Sequence, residues 1–139
     1  VRVREYRRTG ERYLEVKCRR ASGRTSKFRT AAPADGAALS EALAQLSPEA
    51  QRIVEGLTLV PSVSTAFDRI TLVRRDGGER VTIDLDLTVR RATAHVALGE
   101  IAFVEVKQSD RAASPVLTAL AERHVRAHAV SKYCVAVAL

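Results

Sequence analysis

Six stretches of this chain alternate charged and apolar residues with a period of two, and "ERVTIDLDL" at residues 79–87 does so most strictly. Successive side chains of a strand point to opposite faces. Arg80, Thr82, Asp84 and Asp86 therefore share one face, and Val81, Ile83, Leu85 and Leu87 the other. The same sorting puts Arg2 with Arg4, Glu15 with Lys17 and Arg19, Lys27 with Arg29, Phe67 with Arg69, and Glu105 with Lys107. Opposite them lie Val1 and Val3, then Leu14, Val16 and Cys18, then Ile70 and Leu72, then Val104 and Val106. A chain patterned this way is built on antiparallel sheet.

Two arrangements satisfy the stripes. An open sheet can turn its charged face to water and its apolar face to a core. A closed barrel can turn the charged face inward, with helices covering the apolar outside, because interior and exterior residues alternate along every barrel strand. Periodicity does not choose between them. An inward ring of Arg and Lys does demand a polyanion, since two like charges ~8 Å apart repel by roughly 2 kcal/mol at an effective dielectric near 20.

Along the chain, "VRVREY" and "YLEVKCRR" flank a Gly turn, and "TSKFRT" follows "ASGRT", so three antiparallel strands open the molecule. Ala31 to Gly56 switches to helical spacing, with Asp35 and Ser47-Pro48 as start signals for two short helices. Residues 66–73 and 79–89 flank the hairpin turn of "RRDGGE", and "IAFVEVKQ" adds a strand after Gly99. "SPVLTALAERHVRAH" opens with a Ser cap and Pro, which predicts a helix, and "SKYCVAVAL" reads as a closing strand. The sum is an α+β domain of about seven strands and two to three helices.

With 139 residues and 46% hydrophobic content, the chain suffices for a single domain over residues 1–139 with a real core. Its formal charge of +7 points to an anionic partner, while 4% aromatic content and the absence of Trp weigh against bases stacked on rings. Cys18 and Cys134 lack metal-ligand spacing and read as buried thiols. His95, His124 and His128 read as structural or surface residues, and Ser131 as a local cap or a phosphate contact. No transmembrane segment is evident in the sequence, which predicts a cytoplasmic location. The chain opens at Val1 inside a strand pattern and holds no Met, which predicts an N-terminal part beyond it.

Taken in order, "VRVREY", "YLEVKCR", "SKFR", "FDRITL", "ERVTIDLDL", "FVEVKQ" and "SKY" resemble the VTC domain of polyphosphate polymerases, in the CYTH-like triphosphate tunnel metalloenzyme superfamily. The resemblance runs from Val1 to about Tyr133. It implies an antiparallel β-barrel forming a triphosphate tunnel, with a charged interior and helices packed outside. It also implies a metal-dependent transfer of the terminal phosphoryl group of ATP, or another triphosphate, to growing inorganic polyphosphate.

By position, Arg2, Arg4, Lys17, Lys27, Arg69, Arg80 and Lys132 match phosphate ligands of the family. Arg80, Lys132 and Lys107 are the candidate catalytic residues. Asp84, Asp86, Glu15 and Glu105 are the candidate carboxylates for a divalent ion; by resemblance Glu105 matches the family's carboxylate for Mn2+ or Mg2+, with Asp84 as a second, weaker candidate. The residue two before Glu15 is Tyr13, so the doubled Glu-x-Glu-x-Lys of the hydrolytic CYTH branch is absent. Three other readings remain: a triphosphate or polyphosphate hydrolase, a non-catalytic polyphosphate-binding module, and an exposed basic sheet for nucleic acid. The last is not expected, given so few aromatic rings.

Overall fold

The computed structural model describes residues 1–33, 39–109 and 113–139. Its contacts divide the chain into two compact units, Val1–Leu59 and Val60–Leu139. The mixed α+β class and the antiparallel pairing hold. The ladders form two sheets, one per unit, and closure into one barrel rests on the resemblance alone.

In the first unit, β1 (Arg2–Tyr6), β2 (Glu11–Arg19) and β3 (Thr25–Ala31) pair antiparallel in that order. Gly10 and Gly23, at φ 72° and 77°, make the turns that need a left-handed residue. Helices α1 (Leu39–Ala44) and α2 (Pro48–Val54) follow; the expected start at Asp35 lies outside the described residues. Ser47 caps α2, its Oγ accepting from the Ala50 N–H at 3.4 Å, with Pro48 behind it. Leu14 and Val16, on the apolar face of β2, pack on Ala42, Leu46 and Ala50 of this helical segment. Truncating Leu14 to Ala would remove about 2–5 kcal/mol of stability.

The second unit is organised by β5 (Glu79–Arg91). One edge pairs with β4 (Ser64–Val73); the other pairs with β6 (Ala94–Leu98) near its end and with β7 (Phe103–Gln108) near its start. α3 (Pro115–Glu122) is capped by Ser114, whose Oγ accepts from Leu117 N–H at 3.0 Å. Where a closing strand was expected, α4 (Lys132–Ala138) forms instead, because Ser131 Oγ accepts from Cys134 N–H at 3.1 Å and nucleates a turn. Ser131 is therefore a cap. β6 was not expected: its turn uses Ala92 at φ 48°, which no Gly or Asn announces.

The stripe in β5 breaks once. Between the pairs Asp68↔Leu85 and Ala66↔Thr88, β5 carries one residue more than β4, and Asp86 sits there at φ 51°. Such a bulge reverses the alternation. Leu87 and Val89 consequently join the face of Asp84 and form the core of this unit with Ala136 of α4. The predicted sharing of a face by Asp86 and Asp84 thus ends at the bulge, and Asp86 is exposed. On the opposite face Ile70 and Leu72 stay about half exposed, at 48% and 51%, so this apolar face is not sealed as expected. The cysteines are free thiols but not buried: Cys18 is intermediate and Cys134 exposed. All three His residues are exposed.

Candidate functional site

In the first unit the register sets Arg2 and Arg29 directly across from Glu15, with Lys27 two positions along on the same face, opposite Lys17. Glu15 is 1% exposed. Its Oε2 accepts from Arg2 Nε at 2.6 Å, and Lys27 Nζ lies 2.7 Å from Oε1. Burial pushes the Glu15 carboxyl up, but the hydrogen bonds from Lys27 and Arg2 and the charge of Arg2 and Arg4 more than reverse this, lowering it to about 2. Arg4 Nη1 donates to the Tyr6 hydroxyl at 3.3 Å, which lowers the Tyr6 pKa. One carboxylate thus orders a face that carries Arg2, Arg4, Lys17, Lys27 and Arg29.

In the second unit Arg69 faces Asp84 across β4 and β5. Its guanidinium is bidentate, Nε to Oδ1 at 2.5 Å and Nη2 to Oδ2 at 2.7 Å. Lys132 pairs with Oδ2 from the first residue of α4, and its ammonium lies 4.8 Å from the ring centres of both Phe67 and Phe103. Asp84 is 1% exposed, and its pKa is lowered although burial acts to raise it, because Arg69 and Lys132 stabilise the carboxylate. The geometry thus makes Asp84 a counter-ion.

Toward the start of β5, Arg80 lies directly opposite Lys107 and Thr82 opposite Glu105. Arg80 and Lys107 line a shallow cleft of about 220 Å3 with Gly77, Gly78 and Ser109. Lys107 Nζ is 3.2 Å from Glu105 Oε1, both side chains being exposed. Like charges directly across a ladder are destabilising, so the Arg80 and Lys107 pair is a place where an anion would be stabilising. Thr82 Oγ1, on the same face, is buried and among the described residues has no hydrogen-bond partner.

Among the described residues no group of three or more His, Cys, Asp or Glu is disposed to hold a metal ion. A family model of the VTC domain matches residues 1–139. The chain belongs to the VTC domain family. No curated protein and no solved structure matches it.

Membership ties this VTC domain to polyphosphate, and the family is associated with polyphosphate polymerase. Among the described residues no helix is long and apolar enough to cross a membrane. The residues singled out by sequence fall into three groups: Arg2, Arg4, Lys17 and Lys27 on the first sheet; Arg69, Lys132 and Asp84 around one ion-pair centre; Arg80, Lys107 and Glu105 on β5 and β7. Sequence reasoning gave no site role to Thr82, Phe67, Phe103 or Arg29. For Phe67 the signal was there, because it lies two residues from Arg69 on a charged face.

Proposed function

We propose that this VTC domain is a polyphosphate polymerase. The observation that carries the reading is Arg80 set opposite Lys107 over an open cleft, on a chain whose full length matches the VTC family. An oxygen of the terminal phosphate of the growing polymer attacks the γ-phosphorus of ATP. The bond from that phosphorus to the β,γ-bridging oxygen breaks, its electrons leave on ADP, and the polymer is one phosphate longer. No side-chain nucleophile is required. In the first unit Arg2, Arg4, Lys17 and Lys27 serve as phosphate ligands; in the second Arg69 does so too, and Arg80, Lys107 and Lys132 neutralise phosphoryl charge.

Mg2+ is commonly held by one or two carboxylates together with substrate phosphates. Glu105, an exposed carboxylate beside the Arg80 and Lys107 pair, fits that requirement, whereas Asp84 is already taken by two cations. When bound, Mn2+ or Mg2+ supplies charge neutralisation on phosphate oxygens. In this reading Glu105 holds it and Lys107 limits the local negative charge.

The test is phosphorus NMR of the chain with ATP and Mn2+. A growing resonance of internal chain phosphates as ATP falls is the expected result, abolished in Arg80→Ala. Free phosphate alone would make the protein a hydrolase, and unchanged ATP with tight tripolyphosphate binding a binding module; either outcome overturns the polymerase.

A further inference from the structure

We propose that Arg29 is an additional phosphate-binding residue of the first unit, held ready by an aromatic ring rather than by a carboxylate. This rests on the reading of that face as a triphosphate or polyphosphate site.

Glu15 is engaged by two other cations. Arg2 reaches Oε2 with Nε at 2.6 Å and Nη2 at 2.5 Å, and Lys27 reaches Oε1 at 2.7 Å. Arg29, although directly opposite Glu15 in the ladder, keeps its Nε 4.0 Å from Oε1, too far for a hydrogen bond. Its Cζ instead lies 3.4 Å from the centre of the Tyr13 ring, with the Tyr6 ring at 5.8 Å.

The Tyr13 ring is itself fixed. Its hydroxyl donates to Glu11 Oε1 at 2.8 Å, which raises its pKa, and its ring meets Tyr6 edge-on at 6.1 Å and 81°. A ring contact uses the flat face of a guanidinium, whereas the five N–H donors lie in its plane. Stacking therefore orients Arg29 while leaving those donors to a ligand, and among the described residues Arg29 makes no hydrogen bond within the chain.

Charge points the same way. Glu15 and the nearby Glu11 stand against Arg2, Arg4, Lys27 and Arg29, so this cluster is short of anion. A planar fork fits two oxygens of a phosphate, and a chain of phosphates supplies oxygens to Arg2 and Lys27 as well.

The experiment is calorimetric titration of the whole chain with tripolyphosphate, comparing wild type with Arg29→Gln, Arg29→Lys and Arg52→Gln. Arg52, exposed on α2, controls for the loss of one positive charge. Arg29→Gln should weaken binding by about tenfold or more, and Arg29→Lys should recover only part of it, because an ammonium keeps the charge but not the fork. Arg52→Gln should stay within about twofold of wild type at 0.15 M salt. With three Tyr and no Trp, tyrosine emission gives a second readout, and ligand should change it in wild type but less in Arg29→Lys. If wild type binds and Arg29→Gln binds equally, or Arg29→Lys matches wild type by both readouts, this inference falls and the phosphate reading stands. If wild type does not bind, the phosphate reading itself falls. Should Arg29→Gln fail to fold by circular dichroism, the lysine variant and the emission decide.

Discussion

Glu15 and Asp84 pose the same physical problem, a carboxylate 1% exposed in mid-strand, and the two units answer it differently. The cations on Glu15 are wet: the side chains of Arg2 and Lys27 are 43% and 41% exposed. Those on Asp84 are drier, Arg69 at 31% and Lys132 at 21%, with Phe67 and Phe103 beside the ammonium. The depth of the carboxylate is equal, so what separates the centres is the exposure of its partners. Wet cations can turn to a ligand phosphate with little loss of hydration. The more shielded Arg69 and Lys132 are held by Asp84, and there the ion pair ties α4 to β4 and β5 while part of each cation stays open to a ligand.

The sharpest way to break this comparison is to remove each carboxylate. Asp84→Ala leaves two partly shielded cations side by side and should destabilise the protein by about 3 kcal/mol in urea unfolding. Glu15→Ala leaves cations that water can reach and should remove about 1–3 kcal/mol. Equal losses would mean that partner exposure is not the deciding variable.

Acid sharpens it next. Glu15 titrates at about 2 in the fold against 4.5 for an ordinary glutamate, so the unfolded chain takes up the proton first. Its contribution, up to about 3 kcal/mol, is complete above pH 4.5 and is lost as the pH falls toward 2. Asp84 is also lowered and adds loss in the same direction. Unfolding free energies measured between pH 6 and pH 2 should therefore fall steadily, and Glu15→Gln should flatten that acid limb. An unchanged limb in the variant would show that Glu15 is not held by its cations.

The rings come third. Phe67→Leu keeps apolar bulk but removes one of the two faces near Lys132, and should lower stability by about 1 kcal/mol. The matching change near Arg29, Tyr13→Leu, should reduce tripolyphosphate affinity more than stability. Loss of stability alone at Tyr13 would put both rings in the same structural role.

How far this was legible in the sequence depended on local rules. The first unit followed them at most places: Gly10 and Gly23 marked the turns, Ser47-Pro48 the helix, and the parity of Leu14 and Val16 against Glu15 and Lys17 gave both faces of β2, although Val1 and Val3 stay exposed. The second unit departed where a residue acted against type. Asp86 and Ala92 took left-handed φ values that usually fall to Gly or Asn, so the reversal of faces after Leu85 and the existence of β6 left no mark. "KYCVAVA" is apolar enough for a buried strand or a buried helix, and the Ser131 cap decided it. The pairing of Asp84 with Lys132 joins residues 48 positions apart and followed from no local pattern.

Glu105 should give the smallest change in stability and the most selective change in binding. Its side chain is 58% exposed and its ion pair is with the exposed Lys107, so Glu105→Gln should alter unfolding free energy by no more than about 0.5 kcal/mol. If Glu105 carries the divalent ion, Mn2+ should strengthen tripolyphosphate binding in wild type and do so far less in the variant, while binding in EDTA stays the same or improves because a negative charge is gone. The same substitution at Asp84, as Asn, should weaken the fold and leave the Mn2+ effect in place in whatever fraction remains folded. An Mn2+ effect that survives Glu105→Gln and disappears in Asp84→Asn would reverse the two roles, making the buried carboxylate the metal ligand and its ion pairs with Arg69 and Lys132 a resting arrangement that the ligand displaces.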